Sequence, residues 1–296
     1  MFASRLRLTS LALLAAPFLA NAQSAPLLVS SKWLEQHLRD AKLVVIHTAS
    51  QKADYDAGHI PGARWLAFQS YANAQNGLST ELPPLAVLDS VLESVGIGDD
   101  SRIVISGGPI TNTARLFFTL DYLGLGDRVS LLDGGIDAWR ESGRPLEQSA
   151  PNVTRGSLTL RPVAGKLADA TWLSANLQNP AISVLDARIP EFYSGLVGNN
   201  NPRPGRVPGA LNVPFTWLTG EVSMFREPAK LARLFEQAGV RKGSKVVTYC
   251  HVGMQASVLY LAARILGYDA AMYDGSFDEW SKRTELPIQG PAPAKP

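Results

Sequence analysis

Two stretches of the chain carry the same pattern of apolar and polar positions. IVISGGPITNTARLFFTLDYLGLG (103–126) and VVTYCHVGMQASVLYLAARILG (246–267) each run from a β-branched segment through a small-residue loop into an apolar-periodic segment that stops near glycine. The first part reads as a buried strand and the last as a helix. In the second stretch, apolar residues at 258, 259, 261, 262, 265 and 266 predict a helix over 256–266. Further pairs keep the same order: LVVIHTAS (43–50) with ISVLDARI (182–189), GHIPGA (58–63) with GRVPGA (205–210), and LLDGGIDAW (131–139) with MYDGSFDEW (272–280). Matched segments in one order make the chain a tandem duplication.

Each half opens on a helix candidate. SSKWLEQHLRD (30–40) has Ser30 or Ser31 as its N-cap, and ATWLSANLQ (170–178) has Thr171 in that role. Strands then alternate with helices, which predicts an α/β fold: in each domain a mostly parallel sheet with helices on both faces. The domains span about 27–145 and 166–296. The stretch 144–166 is rich in small and polar residues and lacks helical periodicity. It reads as a linker over 146–165, with a strand at 157–163.

At 296 residues the chain accommodates two ordinary domains. A net charge of +2 gives no basic footprint, which argues against a nucleic-acid partner. Arg5 and Arg7 precede the apolar run LTSLALLAAPFLA, and Ala20-Asn21-Ala22 follows. A basic start, a short apolar core and an A-x-A end predict a signal peptide over 1–22. The run is too short to span a bilayer comfortably. The expectation is therefore export to the periplasm, with no membrane association once the signal is removed.

Export gives weight to Cys250, the sole cysteine. Exported proteins use cysteines in pairs, so a lone thiol is either an inert buried residue or a reactive one. Cys250 falls where a parallel strand ends, the edge at which such sheets bind ligands. The loop 251–255 turns into a helix N-terminus, whose first amides lack partners within the helix. Such a cradle favours a thiolate and predicts a lowered pKa. A drop of about two units corresponds to roughly 2.7 kcal/mol. Gly107 stands at the matching place in the first half, so the fold itself does not require a thiol. His37, His47, His59 and His251 show no metal-ligand spacing, and neither metal nor cofactor is expected.

Taken together, LVSSKWL, GHIPGA, LLDGGIDAW, VLDARIPEFYSG, RVPGALNVPF, the strand–Cys250 loop and YDGSFDEW resemble the tandem-domain rhodanese family, the thiosulfate and 3-mercaptopyruvate sulfurtransferases. The resemblance covers nearly all of the chain after residue 22. It implies a catalytically silent first domain and an active second one. Cys250 would carry a persulfide between a small anionic donor such as thiosulfate and a thiophilic acceptor such as cyanide, a thiol or a thiol protein. That is covalent, ping-pong catalysis.

The resemblance also implies that Arg188 binds the anionic donor, a role suited to a fixed guanidinium. Asp186 and Glu191 would orient it; a surface ion pair with either is the alternative. Trp33 matches a family tryptophan that lines the site from the first domain, although a helical tryptophan is otherwise core. Trp139 and Trp280 read as core, His59 as a structural loop residue, and Pro61 and Pro208 as turn residues. The insertion after Phe192 carries Arg203 and Arg206, which either screen donors or sit in a solvated loop.

Within the family, thiosulfate enzymes carry a basic loop, Cys-Arg-Lys-Gly-Val-Thr, and mercaptopyruvate enzymes a small polar one, Cys-Gly-Ser-Gly-Val-Thr. This chain has Cys250-His251-Val252-Gly253-Met254-Gln255, all assigned to the site. His251, cationic below about pH 6.5, is nearest to the basic version and favours thiosulfate. Gln255 can donate hydrogen bonds. The mercaptopyruvate reaction and a non-enzymatic periplasmic carrier of sulfane sulfur are the alternatives. A Cys-x5-Arg phosphatase loop is excluded, because Ala256 stands where the phosphate-clamping arginine belongs.

Overall fold

The β-branched runs become strands buried on both faces, as parallel sheets require. A computed structural model describes residues 25–198 and 201–290; the predicted signal peptide, 1–22, lies outside them. The first half comprises β1 (Leu28–Val29), α1 (Ser31–His37), β2 (Leu43–Ala49), α2 (Lys52–Asp56), β3 (Arg64–Ala67), β4 (Asn73–Gln75), β5 (Leu78–Glu81), α3 (Leu85–Ser94), β6 (Arg102–Gly107), α4 (Ile110–Tyr122), β7 (Val129–Leu132) and α5 (Gly135–Glu141). The second comprises β8 (Leu167–Ala168), α6 (Ala170–Ala175), β9 (Ile182–Asp186), α7 (Pro190–Ser194), β10 (Leu211–Asn212), α8 (Pro228–Gln237), β11 (Lys245–Tyr249), α9 (Met254–Ile265), β12 (Ala270–Tyr273) and α10 (Ser276–Lys282).

Among the described residues, the sheets run β1-β7-β6-β2-β3 and β8-β12-β11-β9-β10, with every neighbouring pair parallel. The two orders are the same when each strand is matched to its repeat, so the duplication seen in the sequence is a duplication of topology. Central β6 and β11 lead into α4 and α9, which pack against each other across the domain boundary. One apolar core contains Leu116, Phe117 and Leu120 together with Leu259, Tyr260 and Ala263. Asp121, fully buried on α4, accepts from the Tyr260 hydroxyl at 2.6 Å and pairs with Arg264 and Lys166. The domain boundary is therefore sealed by both apolar packing and a satisfied buried charge.

Trp139 and Trp280 are fully buried, as expected of core residues, and each Nε1 donates to a proline carbonyl at 2.8 Å, Pro145 and Pro287 respectively. Ser30 caps α1 by accepting from the Trp33 amide at 3.1 Å. The second cap is corrected: Asp169, not Thr171, holds α6, accepting from the Trp172 amide at 2.7 Å. The strand expected at 157–163 does not form. That segment is extended, but the Arg161 and Val163 amides donate to Leu123 and Tyr122 carbonyls at the end of α4, and Thr159 binds Asp99. Helix-end carbonyls lack partners within the helix and take the place of a strand ladder. Among the described residues no helix is long and apolar enough to cross a membrane.

Candidate active site

β11 ends at Tyr249, in the middle of its sheet, and α9 starts at Met254. Gly253 makes the turn at φ 87°; a Cβ there would lie 2.9 Å from Arg115 Nη1 and 3.2 Å from the Asp274 carbonyl oxygen, so both conformation and space call for glycine. The loop is tied to the start of α10. The Cys250 and His251 carbonyls accept from the Phe277 and Asp278 amides at 3.0 and 2.9 Å. The Cys250 amide donates to Ser276 Oγ at 3.2 Å, and Ser276 donates to the Tyr273 carbonyl at 3.0 Å. With two carbonyls turned away, the amides of Ala256, Val252, Gln255 and Gly253 face the Cys250 sulfur.

The expected cradle of main-chain donors is present, but the expected lowering of the thiol pKa is not. Cys250 is 0% exposed and is part of the large apolar core. Burial pushes its pKa up, the surrounding amides pull it down, and burial prevails, leaving it above the ordinary thiol value. The reason is depth: α9 begins inside the protein, where loss of solvent around a charge outweighs the amide dipoles. The resting thiol is protonated at neutral pH. The amides are placed to steady negative charge when it forms, rather than to maintain it at rest.

Arg188 follows β9 and is 1% exposed. Its Nε lies 3.0 and 3.1 Å from the Asp186 carboxylate oxygens, and its Nη2 donates to Asp186 at 2.6 Å and to the Gly205 carbonyl at 2.8 Å. Its guanidinium carbon sits 4.2 Å from the Phe277 ring centre. Burial opposes its charge, yet the Asp186 carboxylate more than compensates, and its pKa rises, with Cys250 also within electrostatic reach. Asp186 orients Arg188, as the sequence suggested. The pair is buried rather than on the surface, and Glu191, exposed on α7, makes no bond to it. Nη1 makes no hydrogen bond among the described residues.

His251 corrects a second expectation. Burial, and then the charge of Arg188, lower its pKa to about 4, so it is neutral at physiological pH. The Phe192 ring meets it edge-on with centroids 4.6 Å apart. Val252, Met254 and Gln255 are half-buried around it, Gly253 is buried, and Gln255 Oε1 is a buried acceptor with no hydrogen-bond partner. A donor reaches the sulfur only by displacing part of this rim.

Trp33 is not brought to Cys250. It stacks on His37 with centroids 3.8 Å apart, lies under the Arg102 guanidinium at 4.4 Å, and packs, half-buried, against the apolar cluster that contains Leu34, Val104 and Trp139. That cluster occupies the face of the first sheet opposite α4, so Trp33 is a half-buried residue at the edge of the first domain's core. Arg203 does not screen donors either: its guanidinium donates to the carbonyls of Trp280, Ser281, Arg283 and Leu286. Arg206 lies over the Tyr193 ring at 4.5 Å.

In the first half, Gly107 has φ 108°, and a Cβ would fall 2.1 Å from the Thr48 carbonyl oxygen. The counterpart of the cysteine position is filled by β2 backbone and cannot hold a thiol as it stands. What the sequence reading missed is the hairpin β4–β5, whose Thr80 hydroxyl donates to the Val252 carbonyl. Asn76-Gly77, both at positive φ, mark its turn, and an Asn-Gly pair is the usual signal of such a hairpin. Among the described residues no group of three or more His, Cys, Asp or Glu is placed to hold a metal ion.

Comparison with known proteins bears on the family and the fold. The rhodanese-like domain model matches twice, at 30–142 and 169–283. A putative thiosulfate sulfurtransferase of Mycobacterium leprae is 29% identical over 276 residues, covering 88% of this chain and 97% of the relative. A probable 3-mercaptopyruvate sulfurtransferase of Pseudomonas aeruginosa is 30% identical over 279 residues, covering 90% and 98%. The sulfur carrier protein TtuD of Thermus thermophilus is 27% identical over 275 residues, covering 88% and 95%. Among solved structures, the anaerobic ergothioneine biosynthesis enzyme of Chlorobium limicola shares the fold at a TM-score of 0.80 and 21% identity, over 90% of this chain and 71% of the other. Two domain matches that fall on two sheets of identical strand order place the chain in the rhodanese family, as a tandem pair of rhodanese-like domains.

Proposed function

We propose that this sulfurtransferase moves sulfane sulfur from thiosulfate to a thiophilic acceptor through a persulfide on Cys250, and that it does so after export to the periplasm. The observation that carries the reading is the lone thiol at the end of β11, aimed at main-chain amides and within reach of an arginine fixed by Asp186. The Cys250 thiolate attacks the outer sulfur of thiosulfate. The donor S–S bond breaks, sulfite leaves with the bonding electron pair, and Cys250–S–S⁻ remains. The proton first lost by the thiol goes to sulfite or to solvent. Cyanide or a thiolate then attacks the outer sulfur, the enzyme S–S bond breaks, and the Cys250 thiolate returns. The amides around the sulfur support the anion at both stages.

Thiosulfate is favoured as donor by its size, because the sulfur is sealed at rest and a small dianion disturbs the rim least. His251, neutral at physiological pH, gives thiosulfate no cationic partner in the loop. The 3-mercaptopyruvate name of the Pseudomonas relative and the carrier name of TtuD define the competing outcomes. Turnover with cyanide is expected to be faster on thiosulfate than on 3-mercaptopyruvate. The reverse order would reassign the donor, and uptake of one sulfur without turnover would make the protein a carrier.

Because the folded His251 pKa of about 4 lies below the working range, the ring stays neutral there. The KM for thiosulfate in wild type and in His251→Asn is therefore expected to follow the same pH profile between about pH 5.5 and 8. A wild-type inflection in that window that vanishes in the variant would show a charged imidazole at the site.

A further inference from the structure

The cysteine loop is held by the first domain as well as its own. Arg115 of α4 is fully buried; its Nη2 donates to the Thr80 carbonyl at 2.7 Å and its Nη1 to Asp274. The other Asp274 oxygen accepts from the Leu82 amide at 3.0 Å. Asp274 leads into Ser276, the partner of the Cys250 amide, while Thr80 holds the Val252 carbonyl. Lys282 of α10 donates to the Gly77 carbonyl at the hairpin tip, at 3.0 Å. Thr80 and Arg115 thus touch both segments that shape the loop, Val252–Gly253 on one side and Asp274–Ser276 on the other.

The duplication supplies an internal control. Asp133 matches Asp274, and it too accepts an amide from the opposite domain, that of Phe225 at 2.8 Å. Asp274 also has an arginine from the opposite domain, whereas Asp133 has no ion pair among the described residues. The carboxylate–amide contact is inherited by both halves; the arginine is added only behind the loop that bears the thiol. Burial, and then the neighbouring Asp274 carboxylate, push the Glu81 carboxyl beside this pair up to about 8.

We propose that Arg115 and Thr80 of the first domain are positioning residues for sulfur transfer, fixing the Cys250 loop so that its amides converge on the sulfur. The first domain then contributes to the chemistry without a nucleophile of its own. The proposal rests on Cys250 as the sulfur carrier, so its test uses one readout that needs no sulfur transfer. The first is the rate at which iodoacetamide alkylates Cys250, the only thiol in the chain, across a pH series. The second is single-turnover loading of sulfur from thiosulfate, followed by mass.

Thr80→Val removes the hydrogen bond to Val252 without a change of charge, and Arg115→Lys keeps the charge but not the two-sided grip. Each is expected to slow loading by about 10- to 100-fold, the scale set by an ångström of misplacement, with KM little changed. The alkylation profile is expected to shift to higher pH, and Thr80→Ser to restore both readouts. If an Arg115 variant fails to fold, Thr80→Val and Thr80→Ser decide the matter alone. Wild-type alkylation and loading in folded Thr80→Val would overturn the proposal. A shifted alkylation profile in a protein whose wild type takes up no sulfur would leave the positioning role standing and remove the sulfur-transfer reading.

Discussion

Cys250→Ser is expected to give a folded protein that neither takes up sulfur nor turns over. Thiocyanate formation should fall at least about a thousandfold, as when a nucleophile that works in concert with its site is removed. An alcohol is far less acidic than a thiol, and here even the thiol is protonated at rest, so no serine alkoxide forms near neutral pH. Stability should be nearly untouched. The loop is held through main-chain atoms of Cys250 and His251, on Ser276, Phe277 and Asp278, and these bonds do not involve the sulfur. Replacing sulfur by oxygen adds one hydroxyl to a site already lined by amides, and a loss within about 1–2 kcal/mol is expected. With no second cysteine to take over, residual sulfur uptake in the variant, seen as added mass, would move the carrier role away from Cys250. Denaturant unfolding run in parallel separates loss of chemistry from loss of fold.

The duplication made much of the fold legible. Buried parallel strands are β-branched runs, and the helices after them repeat apolar residues at helical spacing, so two copies of one pattern gave two copies of one sheet. Cys250 and Arg188 were legible for a related reason: both follow strand ends, and parallel strands deliver such residues to one edge. What could not be read was how much protein lies over the loop. Contacts that bury it come from 172 residues away for Thr80–Val252 and 159 for Arg115–Asp274. Local sequence indicates that amides face the sulfur, but the balance between amides and burial depends on those distant parts. His251 was misread for the same reason, since its charge depends on burial and on Arg188, not on its place in a motif. Trp33 shows the limit of motif matching, because the face on which α1 packs decides where its ring goes. The stretch 157–163 alternates as a strand would, but alternation reports a half-buried extended chain, and here the partners are helix ends.

Arg188→Met is expected to damage donor binding and stability together, and the two effects separate in a double variant. Arg188 and Asp186 are 1% and 0% exposed, so removing either charge leaves the other buried and unpaired. The expected cost is about 3–5 kcal/mol for Arg188→Met or for Asp186→Asn. Each charge-assisted hydrogen bond to the donor contributes about 1.5–3 kcal/mol, so the KM for thiosulfate should rise roughly 10- to 150-fold in Arg188→Met. In Asp186→Asn the guanidinium remains but loses the carboxylate that aligns it, and a smaller rise in KM is expected. Combining the two substitutions removes both charges, and the double variant should recover most of the lost stability, a departure from additivity expected of partners in contact. Donor affinity should not recover, because the double variant still lacks the Arg188 guanidinium. Unfolding in denaturant and KM measured on the same preparations distinguish the cases. A single variant that loses stability but keeps wild-type KM would make Arg188 a structural partner of Asp186 and nothing more. Arg188→Lys sharpens the comparison, since one ammonium cannot span both carboxylate oxygens and the Gly205 carbonyl while leaving a donor group over. It is expected to keep part of the stability and little of the donor binding.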